Sequence, residues 1–348
     1  MNKIDPAFAC PLPLTQHSKV LMAHGGGGQM MMDLVDQLFR AAFDSPELRT
    51  RHDGAVLAVP AGTLAMSTDS YVIKPLFFPG GDIGSLAING TVNDLAMCGA
   101  RPLCLSVAFI LEEGLPLETL WRVALSMRAA ADRAGTRIVT GDTKVVERGH
   151  GDGVYINTTG IGFVASGHRI SPTGIRAGDA ILISGDVGRH GMAVLGQRES
   201  LSFKSPIKSD CAPLVAPVME LLERGVRVHC LRDATRGGLA AALNETATDS
   251  RLGLECDQAA IPVDEAVGEV CEILGLDPLH IANEGCFIAF VDPSDADAAL
   301  KILKKHNPRA ARIGSATTGE AGSVVLRTEI GGWRVLEAPY GELLPRIC

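Results

Sequence analysis

Four acidic residues of this 348-residue chain, Asp69, Asp82, Asp94 and Asp142, each follow or interrupt an apolar stretch beside Thr, Gly or Asn. The tract Gly25, Gly26, Gly27, Gly28 runs straight into a helical pattern, and Asp233-Ala234-Thr235-Arg236-Gly237-Gly238 does the same before a second helix. Backbone N–H groups left unshielded at a helix start suit a phosphate. Carboxylates gathered beside such cradles suit Mg2+ on a triphosphate. No Gly-Lys-Ser/Thr follows Gly25–Gly28, so the tract is not a Walker A loop. A flexible hinge is its plainer reading, and a solvated loop accounts for any one of the carboxylates. Lys144, directly after Asp142-Thr143, offers phosphate contact or proton transfer. Glu284, in Asn283-Glu284-Gly285-Cys286, precedes a buried-looking strand, where a raised pKa suits general-base work. The chain ends on Cys348, and the segment from Pro339 onward, at ~3.3 Å per residue, reaches roughly 30 Å. Such a thiol can be loaded in one place and unloaded in another; a frayed terminus that ends in Cys is the alternative. Taken together, these residues describe an ATP-dependent enzyme.

Composition narrows the class. The length allows two domains with sizeable cores. A net charge of −8 argues against general binding to nucleic acid or to an anionic membrane, and 4% aromatic residues leave little for a base-stacking surface. No apolar run approaches ~18 residues, and the start, Met1-Asn2-Lys3-Ile4-Asp5-Pro6, lacks signal-peptide order, so a cytoplasmic protein is expected. Nine irregularly spaced cysteines without a Cys-x-x-Cys pair form neither a disulfide framework nor a thiolate metal site. Cys98, Cys104 and Cys286 read as reduced core residues, with Cys348 the exception.

The elements that must position these groups alternate between α and β. A helix is expected over 29–43, and a hairpin of 55–59 with 64–73 around Pro60-Ala61-Gly62. A helix over 83–98 closed by Gly99 follows, carrying Asn93 and Asp94 in its C-terminal half, where the dipole disfavours a carboxylate. Strands at 103–111, 136–140 and 154–164 enclose a helix at 117–134, with Asp69 and Asp142 expected at strand ends. The glycine- and proline-containing segment 166–178 reads as a domain boundary. Beyond it, strands at 179–185, 253–256 and 286–291, helices at 212–223, 239–247 and 295–306, and a hairpin of 323–328 with 333–336 complete an α+β chain in two halves.

The combination of Ser67-Thr68-Asp69-Ser70, Gly81-Asp82-Ile83-Gly84, Asn93-Asp94-Leu95-Ala96-Met97-Cys98-Gly99-Ala100-Arg101-Pro102 and Gly141-Asp142-Thr143-Lys144 resembles the aminoimidazole ribonucleotide synthetase superfamily. Within it, His24 followed by the four glycines, Asn283-Glu284-Gly285 and the terminal Pro345-Arg346-Ile347-Cys348 resemble the HypE carbamoyl dehydratase family of hydrogenase maturation factors. The resemblance implies a two-domain PurM-like α+β fold whose first-half sheets pair across a homodimer. The implied division is an arm, glycine loop and helix over 1–43, an ATP-binding and dimerisation domain over 44–167, a second domain over 168–337 and a flexible tail over 338–348. It implies that the carbamoyltransferase HypF loads a carbamoyl group onto Cys348. ATP then dehydrates the thiocarboxamide to a thiocyanate, and the HypC–HypD complex receives the nitrile as a cyanide ligand on [NiFe]-hydrogenase iron. Lys144 and Glu284 match the proton relay. Asp69, Asn93, Asp94, Asp142 and Asp233 match the nucleotide site, the four aspartates with Mg2+, and Gly25–Gly28 would close over phosphates. The rival readings are a selenophosphate synthetase-like enzyme, weakened because the cysteine nearest the glycine loop is Cys10, the purine-synthesis enzyme or another ATP-dependent member of the superfamily, and a nucleotide-responsive scaffold without chemistry.

Overall fold

The computed structural model describes residues 13, 16–26, 28–50, 54–165, 167–199, 207–328 and 330–338. Gly27 and the tail 339–348 with Cys348 lie outside them.

The first half is a four-stranded sheet in the order β1-β6-β4-β5, formed by β1 (Thr63–Tyr71), β4 (Ala100–Glu112), β5 (Ile138–Val146) and β6 (Val154–Val164), with a two-residue pair β2 (Phe77–Phe78) and β3 (Gly81–Asp82) beside it. β4 and β5 are parallel, joined by the crossover helix α5 (Leu117–Arg133); the other pairings are antiparallel. An N-terminal helical run starts with α1 (Gln29–Leu34), widens into a π-helical stretch over Val35–Arg40 and ends in α2 (Ala41–Phe43). Its Phe39 stacks on Phe109 of β4 at 4.6 Å between ring centroids. A short α3 (Pro46–Arg49) is capped by Ser45. The expected strand 55–59 does not form: Val56 and Val59 are exposed, Val59 runs into Pro60 with no N–H to pair, and β1 finds its partner in β6.

α4 (Ile83–Met97) is the centre of the molecule. Every one of its side chains except that of Asp94 is buried, because α5 and the first sheet cover one side and the second half covers the other. Asp82 caps it, accepting the N–H groups of Gly84 at 2.7 Å and Ser85 at 3.0 Å, which makes this carboxylate structural.

The second half is a seven-stranded sheet in the order β13-β12-β9-β11-β7-β10-β8. Its strands are β7 (Ala180–Ile183), β8 (Val228–Asp233), β9 (Gly253–Asp257), β10 (Phe287–Val291), β11 (Ala311–Thr317), β12 (Val324–Arg327) and β13 (Trp333–Val335). Around it lie α6 (Arg189–Arg198), α7 (Val215–Glu223), α8 (Gly238–Ser250), α9 (Glu265–Leu274) and α10 (Ala296–His306). β7 and β10 are wholly apolar and fully buried, as central strands require. β8, β11 and α9 were not expected from the sequence pattern. Cys104 and Cys286 are buried as expected, but Cys98 is exposed just past the end of α4.

Asn93 joins the two halves. Its Oδ1 accepts the Leu214 N–H at 2.7 Å, and its Nδ2 donates to the carbonyls of Ala212 at 3.1 Å and Glu284 at 3.4 Å. Replacing Asn93 with Ala leaves the buried Leu214 N–H unpaired and is expected to cost about 1–3 kcal/mol. A urea midpoint equal to that of the parent chain would contradict this role.

Candidate active site

A cleft of about 420 Å³ opens between the end of β1, the middle of α4 and the β8–α8 turn, lined among others by Asp69, Tyr71, Asp94, His190, Asp233 and Glu284. Its walls come from both halves. Asp69 stands near the end of β1 on the side facing α4. Asp94 is one turn from the end of α4, where Ser67 Oγ donates to it at 2.6 Å. Asp233 is the last residue of β8. Tyr71 crosses α4 at Gly90, where a Cβ would lie 2.2 Å from the phenol oxygen, so a bare backbone is required.

Glu284 arrives on the turn before β10, and three side chains fix that turn. Asp210 accepts the N–H groups of Glu284 at 3.1 Å and Gly285 at 2.9 Å. Asn93 takes the Glu284 carbonyl. Asn283 accepts the Gly188 N–H at 2.6 Å and donates to the carbonyls of Ala234 at 2.9 Å and Ile281 at 3.1 Å. A Cβ on Gly285 would sit 1.9 Å from the Asp210 carbonyl oxygen, so Asn283-Glu284-Gly285 is a unit that only glycine can close.

The electrostatics follow from burial. Desolvation raises Glu284 well above the usual carboxylate range, reinforced by Asp210, Asp233, Asp69 and Asp94. Asp233 is pushed up to about 7, by burial first and Asp94 second. Asp94 is raised by burial and by Asp69, against the Ser67 hydrogen bond. Asp210 is pushed up to about 6 by burial despite its backbone donors. Two cations border the group: Arg232, whose guanidinium pairs with Glu245, and Arg236, 3.7 Å from Asp69. Clustered carboxylates with raised affinity for protons form a place prepared for positive charge.

The other expected site residues are elsewhere. Asn93 does not line the cleft; its amide is spent on the backbone of the two halves. Asp142 stands within β5 rather than at a strand end, because β5 continues to Val146. Strand register then sets its direction. Asp69 shares a row with Thr158, Val107 and Gly141, whereas Asp142 aligns with Ala108, Asn157 and Ser70, one residue out of phase and so on the opposite face. Lys144 lies on that face too, its Nζ 2.9 Å from Asp142 Oδ1, which holds the Asp142 carboxyl below its ordinary range. β1 and β5 are opposite edges of the sheet, roughly 14 Å apart at ~4.8 Å per strand. The glycine loop also belongs to the β5 edge: a Cβ on Gly25 would meet the Val145 amide at 2.7 Å. Gly26 follows it, and Gly28 leads into α1. Asp210, Asn283, Tyr71 and His190 join the site only in three dimensions: Asp210 has no local motif, while Asn283 stands inside the motif that marks Glu284.

Among the described residues no three His, Cys, Asp or Glu side chains form a ready-made metal cage, and no helix is long and apolar enough to cross a membrane.

These two halves, joined at α4 with the carboxylate cleft between them, define a class: the chain matches AIR synthase related protein, N-terminal domain, over residues 51–164 and AIR synthase related protein, C-terminal domain, over residues 176–327. Carbamoyl dehydratase HypE of Cupriavidus necator is 51% identical over 333 residues, 95% of each protein. A hydrogenase maturation protein HypE solved in complex with ATP superimposes with a TM-score of 0.91 at 49% identity, covering 94% of this chain and 99% of that one. The chain belongs to the carbamoyl dehydratase HypE family of hydrogenase maturation proteins. A relative solved in a HypE–HypF complex has a TM-score of 0.78 at 44% identity, covering 88% of this chain and 99% of its own.

The raised carboxyl of Asp233 has a consequence for stability. The folded state holds its proton at pH values where the unfolded chain, with an ordinary Asp near 3.8, has lost it. Stability therefore falls as pH rises from about 4 to about 7. Asp233→Asn is expected to flatten this slope and to raise neutral-pH stability, read from urea melts across that range; an undiminished slope would refute the assignment.

Proposed function

We propose that this chain uses ATP to dehydrate a carbamoyl group carried as a thiocarboxamide on Cys348, giving a thiocyanate for cyanide donation to iron in [NiFe]-hydrogenase maturation. The observation that carries the reading is Glu284: a half-buried carboxyl of raised proton affinity, its backbone held by Asp210 at the wall of an acidic cleft. The ATP complex of one relative and the HypF complex of another support the substrate and the loading partner. HypC–HypD is the proposed acceptor.

The chemistry needs such a base. The carbamoyl oxygen attacks the γ-phosphorus, an O–P bond forms and ADP leaves. The C–O bond then breaks with departure of phosphate, while the nitrogen gives up both of its protons as C≡N forms. Glu284 accepts a proton once cations in the cleft have lowered its affinity, and Lys144 is the proposed second member of the relay. Asp69, Asp94 and Asp233 fit Mg2+ bound mainly through phosphate oxygens and waters with one or two carboxylates, which needs no protein cage. That ion would neutralise phosphate charge.

Asp142 and Lys144 take part in this reading through a partner. They lie on the sheet face that also exposes Leu64, Met66 and Ile110, an apolar surface that pairing of two such sheets in a homodimer would cover. Pairing would carry the Lys144 edge and the glycine loop of one protomer toward the cleft of the other. The proposed units 44–167 and 168–337 form the two walls of each cleft, 1–43 supplies the loop, and 338–348 is the tail that delivers the thiol in a reducing cytoplasm.

Incubation with HypF, carbamoyl phosphate and ATP is expected to add one carbamoyl group to the intact mass and then to remove one water. Cys348→Ala should show neither change while binding ATP normally, and Glu284→Gln should stop at the carbamoylated mass. Modification of another cysteine, or rapid dehydration by the Gln variant, would sink the respective assignment. Mixing Lys144→Ala with Glu284→Gln protomers should restore roughly a quarter of the parent activity, since half of the dimers hold one intact site in two. No recovery from that mixture would place both groups in one chain's site.

A further inference from the structure

His190, the second residue of α6, lines the same cleft and is fully buried. Its ring is fixed on two sides, edge-to-face against Phe78 at 5.3 Å between centroids and through Nδ1, which lies 2.8 Å from Ser209 Oγ. Its Nε2 is buried without a hydrogen-bond partner among the described residues. Buried polar atoms of this kind are scarce in folded proteins and call for a reason.

The partners around Ser209 favour one tautomer of the ring. Ser209 Oγ already accepts the Cys211 N–H at 3.0 Å, and its own hydroxyl proton finds an acceptor at His190 Nδ1. With Nδ1 accepting, the ring's proton sits on Nε2. In that tautomer the orphan group is a donor, in a cleft it shares with Asp69, Asp94, Asp233 and Glu284. The helix start is docked on the Glu284 turn, with Gly191 N–H donating to the Ala282 carbonyl at 3.1 Å and Gly188 N–H to Asn283. The His190 ring and the proposed base are thus anchored to the same turn.

We infer that His190 presents its Nε2–H to an acceptor oxygen brought in by the ligand, either the thiocarboxamide oxygen or an oxygen of the terminal phosphate. Burial keeps the imidazole uncharged, lowering it to about 3, so it holds the oxygen without exchanging a proton with it. It is a binding residue that rests on the dehydratase reading and acts beside Glu284, which handles the protons.

The test uses the full chain labelled with 15N-histidine, the His190 resonance being assigned with His190→Gln. ATP alone and the Cys348-carbamoylated chain without ATP are the two arms. A shift of the Nε2 resonance with ATP identifies the phosphate oxygen, and a shift on carbamoylation identifies the thiocarboxamide oxygen. No shift in either arm, or with both ligands present, overturns the inference. In single-turnover dehydration, His190→Ala is expected to be about 10- to 100-fold slower. Its ATP Kd should stay within about threefold if the partner is the thiocarboxamide and weaken about tenfold if it is the phosphate. Unchanged rate and affinity would likewise overturn the inference, and the labelled parent chain decides the matter if the Ala variant does not fold. A parent chain that makes no thiocyanate would instead defeat the dehydratase reading itself.

Discussion

Carboxyl groups crowded around one poorly solvated cleft dominate this structure. Asp94, Asp233 and Glu284 stand around a single cleft with Asp69 at its edge, and burial leaves each of the first three holding protons more tightly than a carboxylate in water. Left to themselves, such groups would push the walls apart or draw in solvent. The fold resists by supplying the walls from two separate sheets packed on one fully enclosed helix, so that separating the carboxylates would mean exposing the apolar side of α4. The cost of the site is met by the core beneath it.

Positioning is done with backbone hydrogen bonds to buried and half-buried polar side chains. Asn93, Asp210 and Asn283 each satisfy main-chain groups of the 281–285 turn or of its immediate neighbours, and together they fix the backbone on both sides of the Glu284 Cα. Amides and a carboxylate serve here because each accepts or donates along fixed directions, whereas apolar packing alone would fix volume and not angle. Glycine completes the arrangement at 285, where the chain passes within contact distance of the Asp210 carbonyl.

Much of the architecture was legible in the chain, and the reasons for the failures are physical. β6 occupies the expected residues 154–164, and α5 ends one residue short of expectation, since their periodicity is strong and their ends are marked. The expected hairpin at 55–59 failed because alternation says that a segment can be a strand, not which strand will pair with it. α9, absent from the sequence expectation, is marked by Asp264, which caps its start, and by Gly275, whose positive φ ends it. The individual carboxylates were legible as chemistry, but not their grouping. Whether Asp142 faces Asp69 depends on the order β1-β6-β4-β5 and its register, which no local pattern encodes. The local motif around Asn93 suggests a nucleotide ligand, while the partners that its amide holds lie 119 and 191 residues away along the chain, where no local pattern can announce them.

The carboxylate cleft has one more property. Because burial raises the proton affinity of Asp233 and Glu284, a cation that binds either carboxylate directly competes with its proton. Filling the site is therefore also a titration. The affinity measured for a positively charged occupant depends on the acidity of the buffer, and the heat measured on binding contains the ionisation heat of whatever buffer takes up the expelled protons.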